Sequence, residues 1–344
     1  MRGRAWTDLL VVGGGPAGLA TALHAARAGL ETTVWEQRAG TIDKSCGEGL
    51  MSGAVAGLTA LGVHPPGYDL RGIRYVAGAH RADADFRAGP GRGVRRTVLH
   101  AALREAVLAA GVRVEQRAVR RVEQDEDGVV VDGTRARHLV AADGLHSPIR
   151  RALGLHRPRR AHRRHGLRRH YVLTPWSDHV EVHWARDAEA YVTPVSDDLV
   201  GVAVLTADRR PYDDHLAAFL ELQERLAGAG TATPARGAGP LRQDASARTA
   251  GRVLLVGDAA GYVDALTGEG IALASAAVRA VINGDLAAYE REWRRLTRRY
   301  RWLTHALLGA TKVPPLRAAL VPAAQRLPWL FSATVDVLAR PPGT

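Results

Sequence analysis

A chain of 344 residues that is 46% hydrophobic can enclose one large core or two lobes that share one, and its single cysteine excludes an internal disulfide. No apolar run reaches the roughly 18 residues of a spanning helix, and the short apolar run near the N-terminus ends in helix-opening glycines rather than a cleavage site, so the chain is expected to be cytoplasmic. A net charge of +12 would suit a nucleic-acid or anionic-lipid partner, yet only Lys44 and Lys312 among 47 basic residues are lysines and aromatic content is 5%, which suits an arginine-favouring bias and no specific nucleic acid.

Thr7 to Val12, TDLLVV, is a short β-rich run that passes at once into GGGPAGLATALHAARAG. Strand, tight turn and helix are the predicted order. Gly13, Gly15 and Gly18 fall on G-x-G-x-x-G, Leu19, Leu23 and Ala26 continue at helical spacing, and Gly29 suits the C-cap. Glycines there let backbone N–H groups and the positive end of a helix approach a pyrophosphate, with Ala17 inside the same turn. A second strand, ETTVWE, ends at Glu36, about 20 residues past the glycines, where an acid accepts from a ribose 2′-OH. That favours NAD or FAD over NADP at this site, with Glu36 and Gln37 on the ribose side.

DKSCGEGLMSGA, Asp43 to Ala54, sets the only cysteine in a glycine-rich hinge before a helix of small residues. Lys44 suits a cofactor phosphate or a solvated surface. Cys46 suits proton donation, a redox partnership or the filling of a tight corner; without a second cysteine for a relay, packing or proton handling is expected. Glu48 is the stronger acid/base candidate, since a carboxyl in an apolar pocket suits proton transfer, with a loop glutamate in water as the alternative. HLVAADGLHSPIRRALGL then runs a strand into Asp143-Gly144, with Ser147 as N-cap and Pro148 as the first helical residue. Residues 150–170 hold nine Arg and four His with no acid between Asp143 and Asp178. Such a run is expected to be a solvated face; its alternative is a landing site for a reductant's phosphate, an acidic carrier protein or an anionic lipid surface.

Four short runs, LRRHYVL, HVEVHWA, AYVTPV and LVGVAVL, predict a mostly antiparallel sheet. A helix over YDDHLAAFLELQERLAG and a connector, AGTATPARGAGP, lead to a buried strand, Val253 to Val256, which delivers Gly257 and Asp258 into a second glycine turn and a long helix. Asp258 suits the hydroxyls of a ribityl chain, while Gly268, Gly270 and Ile271 at the helix start suit flavin carbonyls. The tail from Tyr289 is an arginine-studded helix and a Pro-broken apolar segment, together holding Trp302, Trp329 and Phe331, for packing against the lobes or for peripheral contact with a membrane or a greasy substrate. The expected division is a discontinuous dinucleotide lobe (1–150 and 240–285), a sheet-and-helix lobe (151–239) and a helical segment (286–344); no cluster with metal-ligand spacing appears.

Taken in order, the G-x-G-x-x-G turn, the Asp143-Gly144 turn and the GDAA turn resemble the three cofactor motifs of the FAD-dependent oxidoreductases that comprise the aromatic hydroxylases (group A flavin monooxygenases) and the geranylgeranyl reductases. The resemblance implies an α/β fold with a Rossmann-like FAD lobe, an antiparallel sheet roofing the substrate cavity, and C-terminal helices. It implies bound FAD, with Asp143 and Gly144 near the pyrophosphate, Arg96 opening a helix along the cofactor, and Tyr191 and Pro194 in the substrate pocket. SCGEGL and GDAAGYVDALTGEGI resemble the reductase branch, whose cysteine segment lies by the isoalloxazine, whereas AYVTPV keeps only the Tyr and Pro of that branch's Y-x-W-x-F-P strand. The W-x-W-x-I-P segment and tunnel lysine of halogenases are absent, which disfavours halogenation. The expected activity is hydroxylation of an apolar or phenolic small molecule, free or carrier-bound, through a flavin C4a-hydroperoxide, in secondary metabolism. Its alternatives are reduction of a prenyl or polyketide C=C and an FAD-binding module without activity. With no second G-x-G-x-x-G, NADPH or NADH is expected to visit as a transient reductant, or a separate protein to supply reduced flavin.

Overall fold

The computed structural model describes residues 6–158, 164–262 and 269–339, with side chains from Ala274 onward in the last stretch. Thr7–Val12 is buried along nearly its whole length, and a run buried on both faces suits a parallel sheet covered by helices. The strand order is Thr249–Ala250, Val253–Leu255, Thr134–Ala141, Thr7–Val12, Thr32–Glu36 and Arg113–Gln116, parallel except at its first member. Helices Pro16–Arg27, Arg96–Ala109 and Glu269–Ile282 add Leu19, Leu23, Leu103, Val107, Ala277 and Val278 to its core. Register sets Val12 beside Ala141 and Ala141 beside Leu255, so the chain leaves three adjacent strands at one level. Ligands of open α/β sheets bind at such carboxyl ends.

The second sheet runs Gly230–Thr231, His165–Val172, Leu199–Thr206, Ala188–Ser196, His179–Trp184, Gly72–Ala77, His80–Asp85. Its centre is the four runs expected from sequence. Its far edge departs from the expected division: Gly72–Ala77 and His80–Asp85 lie within 1–150 yet join this sheet, because Gly72–Ala77 pairs in parallel with His179–Trp184, a partner far along the chain. The expected connector also supplies strands, Gly230–Thr231 and Arg236–Ala238, both on His165–Val172. The helix expected over 212–228 is two, Tyr212–Leu216 and Leu220–Leu226, since Phe219 turns out of helical geometry into the apolar cluster that holds Tyr212 and Leu222.

Helices Leu286–Ala310, Pro314–Arg326 and Pro328–Ala339 end the described chain, and the last two start at prolines, whose missing N–H costs nothing in a first turn. Val321, Phe331 and Val335 share a cluster with Tyr75, Phe86, Val180 and Val182, so the tail packs on the second sheet. The basic run is not a uniformly solvated face. Arg150 and Arg168 are fully buried, each consumed by acceptors that composition does not reveal; residues 159–163 lie outside the described chain. Arg150 donates to the carbonyls of Ala259 and Leu145, both at 2.9 Å, and to Gln243 Oε1 at 3.0 Å.

Strand alternation turns Val180 and Val182 to the tail and Glu181 and His183 to the opposite face. Burial pushes the Glu181 carboxyl up, but hydrogen bonds from His183 and Trp176 and the charges of His183 and Arg74 together outweigh it and hold the group at about 2. A carboxyl held below its ordinary 4.5 stabilises the fold above that value and loses the contribution as pH falls toward 2. The thermal midpoint of the wild type is therefore expected to exceed that of Glu181→Gln near neutrality, with the gap closing as the pH is stepped from 5 down toward 2; a gap independent of pH contradicts the ionic origin.

Candidate active site

Three turns at the ends of adjacent parallel strands build a cleft. At Gly13, with φ +110°, a Cβ would sit 2.2 Å from the Ala142 carbonyl oxygen, and at Gly18 one would sit 1.9 Å from the Gly13 carbonyl oxygen. Those glycines let the first turn close on the second and the helix close on its own turn. Gly15 differs. A Cβ there would approach only Arg96 Nη2, at 3.7 Å, so the missing side chain leaves free volume in the cleft. Gly257 abuts Ala17, which brings the third turn against the first.

Glu36 accepts from the Gly14 N–H at 2.8 Å and the Arg38 N–H at 3.0 Å, and with His100 and Arg104 it walls a pocket of about 140 Å³. Gln37 is exposed and outside the walls of that pocket. The main cavity, about 540 Å³, begins at Gly15–Ala17, Lys44, Arg96, Gly144, Gly257 and Asp258. Asp258 opens into it. Burial pushes that carboxyl up, while Lys44, Arg96 and Arg150 pull it down. Burial likewise pushes the Lys44 ammonium down, as does Arg38, with Asp258 acting against them. Asp143 stands beside this cavity: burial pushes it up against hydrogen bonds from Ser147 and the Ile149 N–H, the latter 3.1 Å from Oδ2. Ser147 caps helix Pro148–Ala152 by accepting from the Arg150 N–H at 2.9 Å. Gly268 lies outside the described residues; Gly270 and Ile271 fall in the first turn of Glu269–Ile282, with their side chains outside the description.

Past the cleft, the loop Ser45–Gly49 lines the same cavity. Glu48 takes φ +61°, a left-handed conformation rare outside glycine that persists where surroundings over-determine it. Its Oε1 accepts from the Arg96 N–H at 2.8 Å and from Arg168 Nη1, and its Oε2 pairs with His170 Nε2 at 2.6 Å. Arg168 Nη2 reaches Asp43 Oδ1 at 2.7 Å, and His170 Nδ1 meets Thr233 Oγ1 at 2.9 Å. Helix Arg96–Ala109 has no side-chain cap on its own N-cap residue, so Glu48 supplies the acceptor that its first turn needs. Gly201 leaves the room, since a Cβ there would stand 2.9 Å from Oε2. With both oxygens held, Glu48 fixes the loop rather than exchanging protons with a substrate. Arg168 and His170 were not singled out by sequence reasoning, which took them as part of a solvated run; their spacing of two on one strand face is the signal that finds them.

Cys46 is reachable from the cavity although protein surrounds it on its other sides. Burial pushes its thiol up; Arg96 pulls it down, the Glu48 carboxylate pushes it up again, and the Glu48 N–H, 3.4 Å from Sγ, pulls it down. The thiol faces the cavity. Thr193 Oγ1 donates to the Gly47 carbonyl at 2.8 Å and ties the loop to the sheet. Beyond it the cavity continues as an apolar arm between the second sheet and the C-terminal helices, lined by Leu70, Tyr75, Val180, Val182, Tyr191, Leu307 and Phe331. Pro194 is not among its walls: it packs its carbonyl against Gly93 instead, where a Cβ would have 1.7 Å.

The cleft fits a flavin dinucleotide: a glycine cradle whose free volume a Cβ would fill, a carboxylate open to the cavity at Asp258, and a buried Arg96 Nε without a protein partner. A doubly wound sheet with such a cleft beneath an antiparallel roof defines a flavin-dependent oxidoreductase. The chain belongs to the FAD-binding-domain family, whose pattern matches residues 6–297, and FAD is its cofactor. It is 33% identical over 302 residues to a menaquinone reductase of Mycobacterium tuberculosis, covering 77% of this chain and 72% of that one. It is 29% identical over 327 residues to digeranylgeranylglycerophospholipid reductase 1 of Methanothermobacter thermautotrophicus, covering 83% and 81%. The fold superposes on p-nitrophenol 4-monooxygenase of Pseudomonas putida with a TM-score of 0.80 at 18% identity, over 96% of this chain and 98% of that one.

Two variants separate the roles of the glycines. Gly15→Val is expected to fold and lose FAD, because its branched side chain enters open cleft, whereas Gly18→Val is expected to lose stability before any cofactor is added; flavin absorbance and the thermal midpoint of the apoprotein read the two effects. Arg168→Met is expected to cost about 3–5 kcal/mol, since it leaves the Glu48 carboxylate buried without its cation. Denaturant titration checks it, and a cost below about 1 kcal/mol would place that carboxylate's stabilisation elsewhere.

Proposed function

We propose that the chain is an FAD-dependent reductase that saturates a C=C of a long, apolar, prenyl-type chain. The observation that carries this reading is the lining of the cavity: cofactor-cleft residues Gly15, Arg96 and Asp258, the Cys46 loop, and apolar side chains of the second sheet and the C-terminal helices all face one continuous space. The residues that would hold FAD are Gly13, Gly15, Ala17 and Gly18 at the pyrophosphate turn, Glu36 at a ribose, and Lys44, Arg96, Asp143, Gly144, Gly257 and Asp258 along the rest. Reduced by NADPH or NADH, FAD supplies a hydride. The Cys46 S–H, in the wall of that cavity, would give the proton that the second alkene carbon needs, and its thiolate would regain one from solvent. Apolar walls hold the hydrocarbon and keep water from the site.

Support comes also from the relatives, which are named for reduction of menaquinone and of digeranylgeranylglycerophospholipid. Hydroxylation of an apolar or phenolic molecule, the first reading of the sequence, uses the same fold and cleft. It needs no acid at Cys46, and this difference separates the two.

FAD-loaded protein, reduced with dithionite under nitrogen, is expected to saturate a C=C of a geranylgeranyl lipid, which has no quinone for dithionite to reduce, read as a gain of two hydrogens by mass spectrometry. Cys46→Ala is expected to slow that step by about 10²-fold or more, the usual worth of a positioned acid, with FAD content and reduction by NADPH or NADH unchanged. No saturation under nitrogen, together with label from isotopic oxygen in the product under air, overturns the reductase reading in favour of the hydroxylase.

A further inference from the structure

The apolar arm does not end inside the protein. Leu327 and Leu330 line it and are also 42% and 46% exposed, so its outer end opens where helices Pro314–Arg326 and Pro328–Ala339 meet. Trp329 stands between those leucines, and Trp302 precedes Leu303, which lines the arm from helix Leu286–Ala310. Both indoles are about two-thirds exposed, at 66% and 67%. Exposed apolar surface continuous with a cavity marks a contact surface rather than scattered surface hydrophobes.

The charge around this mouth is one-sided. From Trp293 to Ala339 the sequence has eight basic residues and one acid, Asp336, which is paired with Arg87; Arg294, Arg295, Arg301 and Arg317 are neutralised by Glu290, Glu292, Asp244 and Glu189, which leaves Arg298, Arg299, Lys312 and Arg326 as the cations of the mouth. Arg298, Arg299, Lys312 and Arg326 are exposed. Indoles at headgroup depth, aliphatic side chains beneath and cations toward anionic phosphates are how helices lie in a membrane interface. A second copy of the chain would bring the same exposed cations, Arg298, Arg299, Lys312 and Arg326, against these, which favours a lipid surface over self-association. No described helix is long and apolar enough to cross a membrane, which leaves contact from one side.

We propose that the C-terminal helices dock this protein on the surface of an anionic lipid bilayer, with the mouth of the apolar arm turned to the hydrocarbon. Docking stands on the exposed surface alone; that the lipid chain passing into the arm is the one reduced rests on the function proposed above.

FAD-loaded protein is to be sedimented with sucrose-filled vesicles of phosphatidylcholine, with and without phosphatidylglycerol, at low and physiological salt. Flavin colour is expected in the pellet with phosphatidylglycerol, less with phosphatidylcholine alone and less at higher salt. Trp302→Ser/Trp329→Ser and Arg298→Glu/Arg299→Glu are each expected to weaken partition by roughly tenfold with FAD content unchanged. Flavin that stays in the supernatant with anionic vesicles overturns the docking, as does partition that neither double variant alters. A wild-type dimer that the tryptophan variant makes monomeric assigns the patch to a copy of this chain and also overturns it. Turnover is not read here, so a failure of alkene reduction in the assay with the geranylgeranyl lipid refutes the proposed activity and leaves the docking intact.

Discussion

One buried ionic contact ties the dinucleotide lobe to the roof in the wall of the cavity: the Glu48 carboxylate between Arg168, His170 and the first turn of helix Arg96–Ala109. Its acceptor comes from a loop of the dinucleotide lobe and two of its donors from a strand of the roof. The two lobes are thus joined beside the cavity, through charges that would each be costly to bury alone. The positive φ of Glu48 and the bare Cα of Gly201 make the same point geometrically. The loop is held in an unfavourable conformation and the strand opposite gives up a side chain so that the carboxylate can reach its partners.

That contact separates two tasks that the sequence set side by side. Cys46 and Glu48 are two residues apart, and either suits proton chemistry. The thiol, pushed up by the protein around it, opens to the cavity, whereas the carboxylate is surrounded by donors. The same Arg96 contributes to both, donating its backbone N–H to Glu48 and lying close enough for its charge to act on Cys46 and Asp258. A change at Glu48 would therefore disturb the helix start, the Cys46 loop and the cleft together.

How much was legible in the sequence follows from how local each signal is. The three glycine turns and the Ser147 cap are set by residues within a few positions of one another, and each was read in place. Glu36 was read at the ribose end from spacing alone, and it stands beside the Gly14 N–H. The second sheet was read only in part, since the Gly72–Asp85 hairpin finds its partner strand more than a hundred residues on, and no local pattern reports that pairing. Arg168 was hidden by its neighbours: in a run of like charges the reading defaults to solvent, and its acids, Asp43 and Glu48, lie 125 and 120 residues away. Pro194 was placed in the pocket by resemblance, but strand alternation and the close approach to Gly93 turn its carbonyl elsewhere.

The tail shows the reverse case, in which a pattern legible at once acquired its meaning only from packing. Its prolines, tryptophans and arginines are plain in sequence and suit either burial or contact. In the fold they divide: Phe331, Val321 and Val335 complete the apolar wall over the second sheet, while Trp302 and Trp329 stay outside with the cations. A tail that served packing alone would have turned its largest apolar side chains inward, because burying an indole gains more than burying a valine. This one buries Trp293 against the dinucleotide lobe, closes the cavity with Val321, Phe331 and Val335, and leaves Trp302 and Trp329 at the rim. Its composition is therefore better explained by what lies outside the protein at that opening than by what the tail covers inside.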